Sequence, residues 1–289
     1  MPDLSRYLGN ERDSQLIRDH YSRPDVRGEI VRFSRGRWLA LAGERWIRHF
    51  GRAPLTVDSL KLPGTLLATG TRSIYATTSV YRRLKSREDP YDDSNVVAVT
   101  PYLDIDNELE AWRATIEVAR AVTDELERLG VVKSVYVLWS GNGAHVRIHE
   151  HALSRELRDL DHAWALAEYL RVRVEVKVAE IRARYEAFRM KVENQLKPRS
   201  LFTVPLSLHR RIDRVAICFK PESLDDFDPS WTSPSEFRHD PSWGDHEVGE
   251  ADNASKAALE AVGGYPIRRS WRRKEPPVDE MVRKWNELD

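Results

Sequence analysis

Hydrophobic positions change their period along the chain, and each change marks a different kind of element. In the first 60 residues, LIRDHYS, DVRGEIVRFSRGRW and LAGERWIRHF space apolar residues three and four apart, which predicts a mainly helical start. From residue 62, LPGTLLATGTRSIYATTSVY follows turn residues with alternating β-branched and aromatic ones, the pattern of strands on a partly buried sheet. NVVAVTPYLDID continues as a strand that is apolar at first and polar at its end. Over residues 108–129, Trp112, Ile116, Ala119, Val122 and Leu126 fall on one helical face, and Gly130 stands where a helix stop is expected. VVKSVYVLWS and GAHVRIHE read as two strands joined through SGNG. Residues 154–191 hold neither Gly nor Pro, and Leu170, Val174, Val178, Ile181, Tyr185 and Phe188 keep helical spacing, so a long helix is expected although VRVEVKV also alternates like a strand. SLFTVPLSLH and RVAICF return to strand texture, residues 221–253 are loop-like, and the tail predicts a short helix, a basic RRSWRRK segment and a last amphipathic helix. No internal repeat is evident.

Composition narrows the class. With 41% hydrophobic and 32% charged residues, the chain has too much apolar material for general disorder and too much charge for a membrane bundle. No apolar run approaches a bilayer span, and MPDLSRYLGNERDSQ lacks a signal core, so a cytoplasmic, intracellular protein without membrane contact is expected. Lys plus Arg and Asp plus Glu number 46 each, so a polyanion has to be held by a local patch. Arg32, Arg35, Arg37, Arg45, Arg48 and Arg52 make the start basic, which fits a solvated helix face or a phosphate-contacting surface. The lone Cys218 excludes an internal disulfide and a multi-cysteine zinc site, and reads as a small buried hydrophobe.

Three short motifs can carry chemistry. In Tyr102-Leu103-Asp104-Ile105-Asp106, strand alternation puts both carboxylates on one face, where they repel unless a cation lies between them. A Mg²⁺ or Mn²⁺ site completed by substrate phosphates answers that repulsion; the bland reading is a cap for the following helix. In Trp139-Ser140-Gly141-Asn142-Gly143-Ala144-His145-Val146-Arg147, two glycines admit close backbone approach, Ser140 and backbone N–H groups can donate to phosphate, and His145 and Arg147 share a strand face. This is a phosphate grip or an ordinary hairpin with a satisfied histidine, and it is not a Walker loop, because no Lys-Ser/Thr pair follows the glycines. In Val204-Pro205-Leu206-Ser207-Leu208-His209-Arg210-Arg211, a Ser-x-His pair followed by arginines suits a triphosphate, while His209 serves equally as a packed strand-end residue.

Taken in order and spacing, YLDID, WSGNGAHVRI and VPLSLH resemble the archaeo-eukaryotic primase superfamily, in particular the small catalytic subunit of archaeal and eukaryotic DNA primases. Its marks are an Asp-x-Asp strand, a helix, Ser-Gly-x-Gly-x-His and a strand with Pro-x-Ser-Leu-His. SIYATTSVY resembles the family's tyrosine-containing strand, and SLDDFDP its Phe-Asp-Pro turn, so the match spans roughly residues 70–230. The resemblance implies an α/β (α+β) catalytic fold with a mixed, largely antiparallel central sheet flanked by helices. Residues 1–60 would be an N-terminal mainly helical part, 61–230 the catalytic core, and 231–289 a Pro/Trp-rich segment with a basic helical tail.

The resemblance also implies a DNA primase or primase-polymerase, a nucleotidyltransferase that joins ribo- or deoxynucleoside triphosphates on single-stranded DNA with Mg²⁺ or Mn²⁺. Asp104 and Asp106 would be metal ligands, and Glu193 stands where a third carboxylate is needed, a Glu for the usual Asp. Ser140, Asn142, His145, Arg147, Ser207, His209 and Arg210 would bind the nucleotide. Thr203 replaces a basic residue of many primases, so Arg147, Arg210, Arg211 or Lys220 would supply that charge, and with one cysteine no structural zinc is expected. A large primase subunit is an implied partner, and an archaeal, plasmid or viral origin is compatible. Two other readings stay open, a primer-extending repair polymerase and a noncatalytic DNA-binding subunit that keeps the fold.

Overall fold

Helix α1, Leu4–Ser22, and helix α2, Pro24–Ser34, open the chain, and α2 buries Val26, Ile30 and Phe33 along one stripe. Strands β1, Leu39–Gly43, β2, Trp46–Ile47, β3, His49–Phe50, and β4, Ala53–Pro54, follow. Next come α3, Gly64–Thr69, β5, Thr71–Thr77, β6, Ser79–Tyr81, β7, Val96–Val99, and β8, Tyr102–Asp106. Helix α4, Trp112–Arg128, leads to β9, Val135–Trp139, and β10, Ala144–Ile148, and then to the long helix α5, Leu160–Arg184. The last elements are β11, Lys191–Glu193, β12, Leu201–Thr203, β13, Ile217–Phe219, and α6, Asp252–Val262. This computed structural model describes residues 4–43 and 45–266. The RRSWRRK segment and the final amphipathic helix expected in the tail lie outside the described residues.

Two antiparallel sheets organise these elements. One runs β12-β5-β1-β2, the other β11-β8-β10-β9-β13, and short pairs β3-β4 and β6-β7 complete the set. Helices α4 and α5 pack on each other and on β8 and β10. The fold is thus mixed α+β with a largely antiparallel sheet flanked by helices, as expected. Buried residues from Ile17 to Ala258 belong to one continuous hydrophobic cluster that includes both sheets.

Where sequence and structure differ, pairing decided. LAGERWIRHF, expected as helix, is β1 to β3: Leu39, Ala40, Leu41 and Ala42 are fully buried in a strand between β5 and β2. Four small or apolar residues in a row fit a strand covered on both faces as well as a helix, and only the neighbours separate the two. LPGTLLATG, expected as strand, forms α3, which Gly70 ends with φ of 62°. In the ambiguous VRVEVKV, Val174 and Val178 are buried while Val172 is 46% and Val176 74% exposed, a four-residue period that alternation cannot produce. Helix α4 stops as expected: Gly130, at φ of 80°, donates to the Glu127 carbonyl and Val131 to that of Leu126, the hydrogen bonds of a Schellman cap. Cys218 is buried, with its thiol pKa pushed up by burial. Among the described residues no helix is long and apolar enough to cross a membrane.

Candidate functional site

Strand β8 separates its residues by face. Leu103 and Ile105 are buried, while Asp104 is half-buried and Asp106 exposed on the opposite side with Tyr102. On one flank β10 sets His145 opposite Asp104 and Arg147 opposite Tyr102. On the other, β11 sets Glu193 opposite Asp104 and Lys191 opposite Asp106. Directly opposed residues of a pair share a face, so three carboxylates from two strands lie on one surface beside an imidazole. Glu193 is therefore on a sheet-edge strand rather than at the end of α5, and its Oε2 accepts from Gln195 at 2.7 Å.

Charge on this surface is unbalanced. The Asp106 carboxyl is raised above its ordinary pKa by burial, by Asp104 and by Glu193, with His145 and Lys191 opposing. Hard oxygen donors that repel one another in this way are the donor set Mg²⁺ and Mn²⁺ take. Asp104 has one protein partner, since its Oδ1 lies 3.1 Å from His145 Nε2. The tautomer follows from Arg147: its Nη2 is 2.8 Å from His145 Nδ1, and as a guanidinium only donates, Nδ1 accepts and Nε2 carries the proton toward Asp104. Burial holds the His145 pKa below its usual value despite Asp104, so the ring is neutral at pH 7.

Arg147 is fully buried. Its Nη2 also donates to the Thr203 carbonyl at 2.9 Å, its guanidinium lies 3.9 Å from the Phe202 ring centre, and its Nε and Nη1 have no hydrogen-bond partner. A buried cation without a carboxylate is costly unless an anion comes near it. Between the two sheets opens a cavity of about 470 Å³ whose walls include Asp104, His145, Tyr102, Arg48, Lys197 and Arg199. Arg48 sits over Trp38 at 3.4 Å, and among the described residues its Nε and Nη2 have no hydrogen-bond partner. Thus Arg48, Lys197 and Arg199 line the same cavity as Asp104.

The loop between β9 and β10 explains its own glycines. A side chain at Gly143 would strike the Ile105 carbonyl at 2.4 Å, and one at Gly141, whose φ is 133°, would meet the His209 ring at 2.8 Å. Ser140 closes the turn on the Gly143 carbonyl, and Asn142 Nδ2 donates to the Asn107 carbonyl at 3.1 Å, tying the loop to the end of β8. Both glycines are thus required by protein neighbours.

The Pro-x-Ser-Leu-His segment divides its labour. Ser207 is fully buried, its Oγ accepting from the Ile74 amide at 2.8 Å and donating to the Leu208 carbonyl. Its hydroxyl is committed to holding β5. His209 is half-buried against Gly141; its Nδ1 accepts from the amides of Arg211 and Ile212, which leaves the proton on Nε2. Burial, with Arg72, Arg210 and Arg211 nearby, lowers its pKa, so the ring is a neutral donor in a positive neighbourhood. Arg210 lies 6.0 Å from the Trp46 ring centre. Lys220 does not supply the charge missing at Thr203, because its Nζ donates to the carbonyls of Lys133 and Val135, away from the cavity.

Sequence reasoning passed over Lys197 and Arg199, for which KPRS, a few residues after Glu193, was a usable signal. It had Arg48 only within a basic stretch read as a helix face or a phosphate-contacting surface.

No family model matches the chain, and no curated protein matches it. Among solved structures, the polymerase domain of Mycobacterium tuberculosis ligase D in complex with DNA is similar at 15% identity and a TM-score of 0.48, over 86% of this chain and 88% of that one. The AEP domain of the cyanophage S-2L primase-polymerase is similar at 13% identity and a TM-score of 0.33, over 68% of this chain and 91% of that one.

Proposed function

We propose that the protein is a DNA primase or primase-polymerase of the archaeo-eukaryotic primase superfamily, making or extending primers on single-stranded DNA. The observation that carries this reading is one strand surface with Asp104, Asp106 and Glu193 on it, whose Asp104 lines a cavity of about 470 Å³ together with Arg48, Lys197 and Arg199. Acids are what divalent ions need, and bases are what a triphosphate needs. The order of the YLDID, WSGNGAHVRI and VPLSLH motifs along the chain supports the same reading.

Asp104, Asp106 and Glu193 would hold Mg²⁺ or Mn²⁺, which supplies activation of a 3′-hydroxyl and charge stabilisation on departing pyrophosphate. The protein's own groups do the rest. The Nε2 proton of His145 holds the Asp104 carboxylate in one orientation, and Arg147 fixes that proton by occupying Nδ1. His209 Nε2–H and Arg210 donate to phosphate oxygens, and Arg147 lends its unpaired cation to the same field. Trp46, 49% exposed on the edge strand β2 with Tyr75 at 4.9 Å between ring centres, offers a stacking platform for unpaired bases.

The test is synthesis on a single-stranded DNA template with labelled ribo- and deoxynucleotides and Mg²⁺ or Mn²⁺, with and without an annealed primer, beside the Asp104→Ala/Asp106→Ala protein. Product without primer, absent from the variant, is the expected result. Extension only of a supplied primer would restrict the activity to that of a polymerase. DNA binding with no product under any condition would overturn the catalytic reading in favour of a noncatalytic subunit.

A further inference from the structure

Beyond the far end of β10 from the carboxylates lies a second cluster of ligating side chains. His149 follows the strand directly, His151 sits in the short 3₁₀ turn Glu150–Ala152, and His246 arrives from the segment after Trp243. Each brings one ring nitrogen to within 4.8 Å of the other two. Four residues of strand separate His149 from His145, about 13 Å at the usual rise, so this cluster is distinct from the acidic surface.

Chemistry separates it further. Three imidazoles make a nitrogen donor set, which suits Zn²⁺ and its neighbours in the transition series and not Mg²⁺. His246 Nδ1 lies 3.0 Å from the Gly244 carbonyl, which can only accept, so the proton is on Nδ1 and the Nε2 lone pair is bare. A backbone carbonyl that orients a ring in this way is what metal-bound histidines use. Burial pushes the His149 pKa down to about 4, and that of His151 down as well, which keeps both rings neutral at pH 7. Glu150, between the two histidines, accepts from Arg37 and Thr100.

The rings are not yet in ligating array. His149 and His246 stack at 4.1 Å with 10° between their planes, and His149 Nδ1 accepts the His151 amide at 3.1 Å. Bonds of about 2.0–2.1 Å in a tetrahedron bring ligand nitrogens to about 3.4 Å of one another, so capture turns His246, which is exposed, and exchanges the weak amide contact for a metal bond. The lone cysteine excludes a cysteine zinc site, and a set of histidines 95 positions apart in the chain escapes that reasoning.

We propose that His149, His151 and His246 bind one transition-metal ion, Zn²⁺ being the fitting case, which fastens the segment from Trp243 to His246 onto the end of β10. That segment covers the core: Trp243 packs on Phe33 and Tyr136 and donates to Glu29. The ion is therefore a clip, with a fourth position left to water.

The experiment uses the full chain, stripped with EDTA and titrated with ZnCl₂ in excess Mg²⁺ by calorimetry, with thermal unfolding alongside. One Zn²⁺ per chain and a rise in Tm on addition are expected. Because even outer-shell changes cost roughly 10–100-fold in affinity, loss of a ligand in His246→Ala or His151→Ala should weaken binding by at least about 100-fold and abolish the Tm rise. His162→Ala, on α5, should bind as wild type. No Zn²⁺ bound, or equal affinity in wild type, His246→Ala and His151→Ala, would overturn the site.

Discussion

The Asp104–Asp106 strand and the Leu206–His209 segment are both motifs read from the chain, and they use their polar groups differently. On β8 the backbone is regular, so alternation delivers Asp104 and Asp106 to one face and buries Leu103 and Ile105. In the other segment Leu206 adopts a φ of 60°, and the run of alternation breaks there. Polar groups around that break serve the fold: Ser207 holds the Ile74 amide, Tyr21 accepts from the Leu208 amide, Ser73 donates to the Leu208 carbonyl and His20 to that of Leu206. Only His209 is left with a donor to spare. The regular strand thus presents its carboxylates on one face, while the bent segment commits its polar groups to the fold and leaves His209 Nε2–H free to donate.

The largest expected effect lies on β8. Asp106→Ala should abolish metal-dependent synthesis while Tm in metal-free buffer stays level or rises, because the lost charge was repelled by Asp104 and Glu193. Full activity in this variant would remove Asp106 from the metal site and break the contrast.

Next comes the pair that divides the bent segment. His209→Ala removes one donor to a charged oxygen, about 1.5–3 kcal/mol, and so should raise the nucleotide KM roughly ten- to hundredfold, with some fall in Tm because the Arg211 and Ile212 amides lose Nδ1. Ser207→Ala should act on the fold alone: the buried Ile74 amide loses its partner at a cost of about 1–3 kcal/mol, read as a lower Tm or denaturation midpoint, with nucleotide KM unchanged. If both variants shifted KM and neither shifted Tm, Ser207 would be a ligand contact rather than a tie.

A smaller effect is expected at the sheet edge. Glu193→Gln keeps an oxygen opposite Asp104 and removes its charge, so the Mg²⁺ needed for half-maximal rate should rise by up to roughly tenfold. An unchanged metal requirement would reduce the acidic set to two aspartates.

The smallest is a pH signature. An acid whose folded pKa is raised stabilises the fold in its protonated form, and that contribution is lost as pH rises through the folded value. Without metal, Asp106→Asn should therefore match wild type in stability below about pH 4, the ordinary carboxylate range, and exceed it at pH 7. Saturating Mg²⁺ should close the gap at pH 7, and a gap that survives Mg²⁺ would mean that Asp106 does not meet the ion.

Legibility followed regularity. The α4 stripe with its glycine stop, the 135–148 hairpin and the acid pair on β8 were readable because each obeys one local period and ends at a residue with a steric reason to be there. The fates of Asn142 and Ser207 were not, because whether a polar side chain meets a ligand or a backbone amide depends on what the chain folds against it. The strand that starts at Leu39 was hidden for a related reason: apolar runs of a few residues fit helix and strand alike until a neighbour claims their hydrogen bonds.

By itself the sequence determined the order of acidic strand, helix, glycine hairpin and Ser-Leu-His segment, because those features are carried by neighbours one to four residues apart; the largely antiparallel α+β fold was what the family resemblance implied. Tertiary structure alone decided that Glu193 pairs opposite Asp104, that Arg147 is buried against Phe202 and donates to the Thr203 carbonyl, and that His246 joins His149 and His151. These meetings join residues that stand far apart along the chain, and sequence spacing carries no information about which distant strand or loop will fold beside a given side chain.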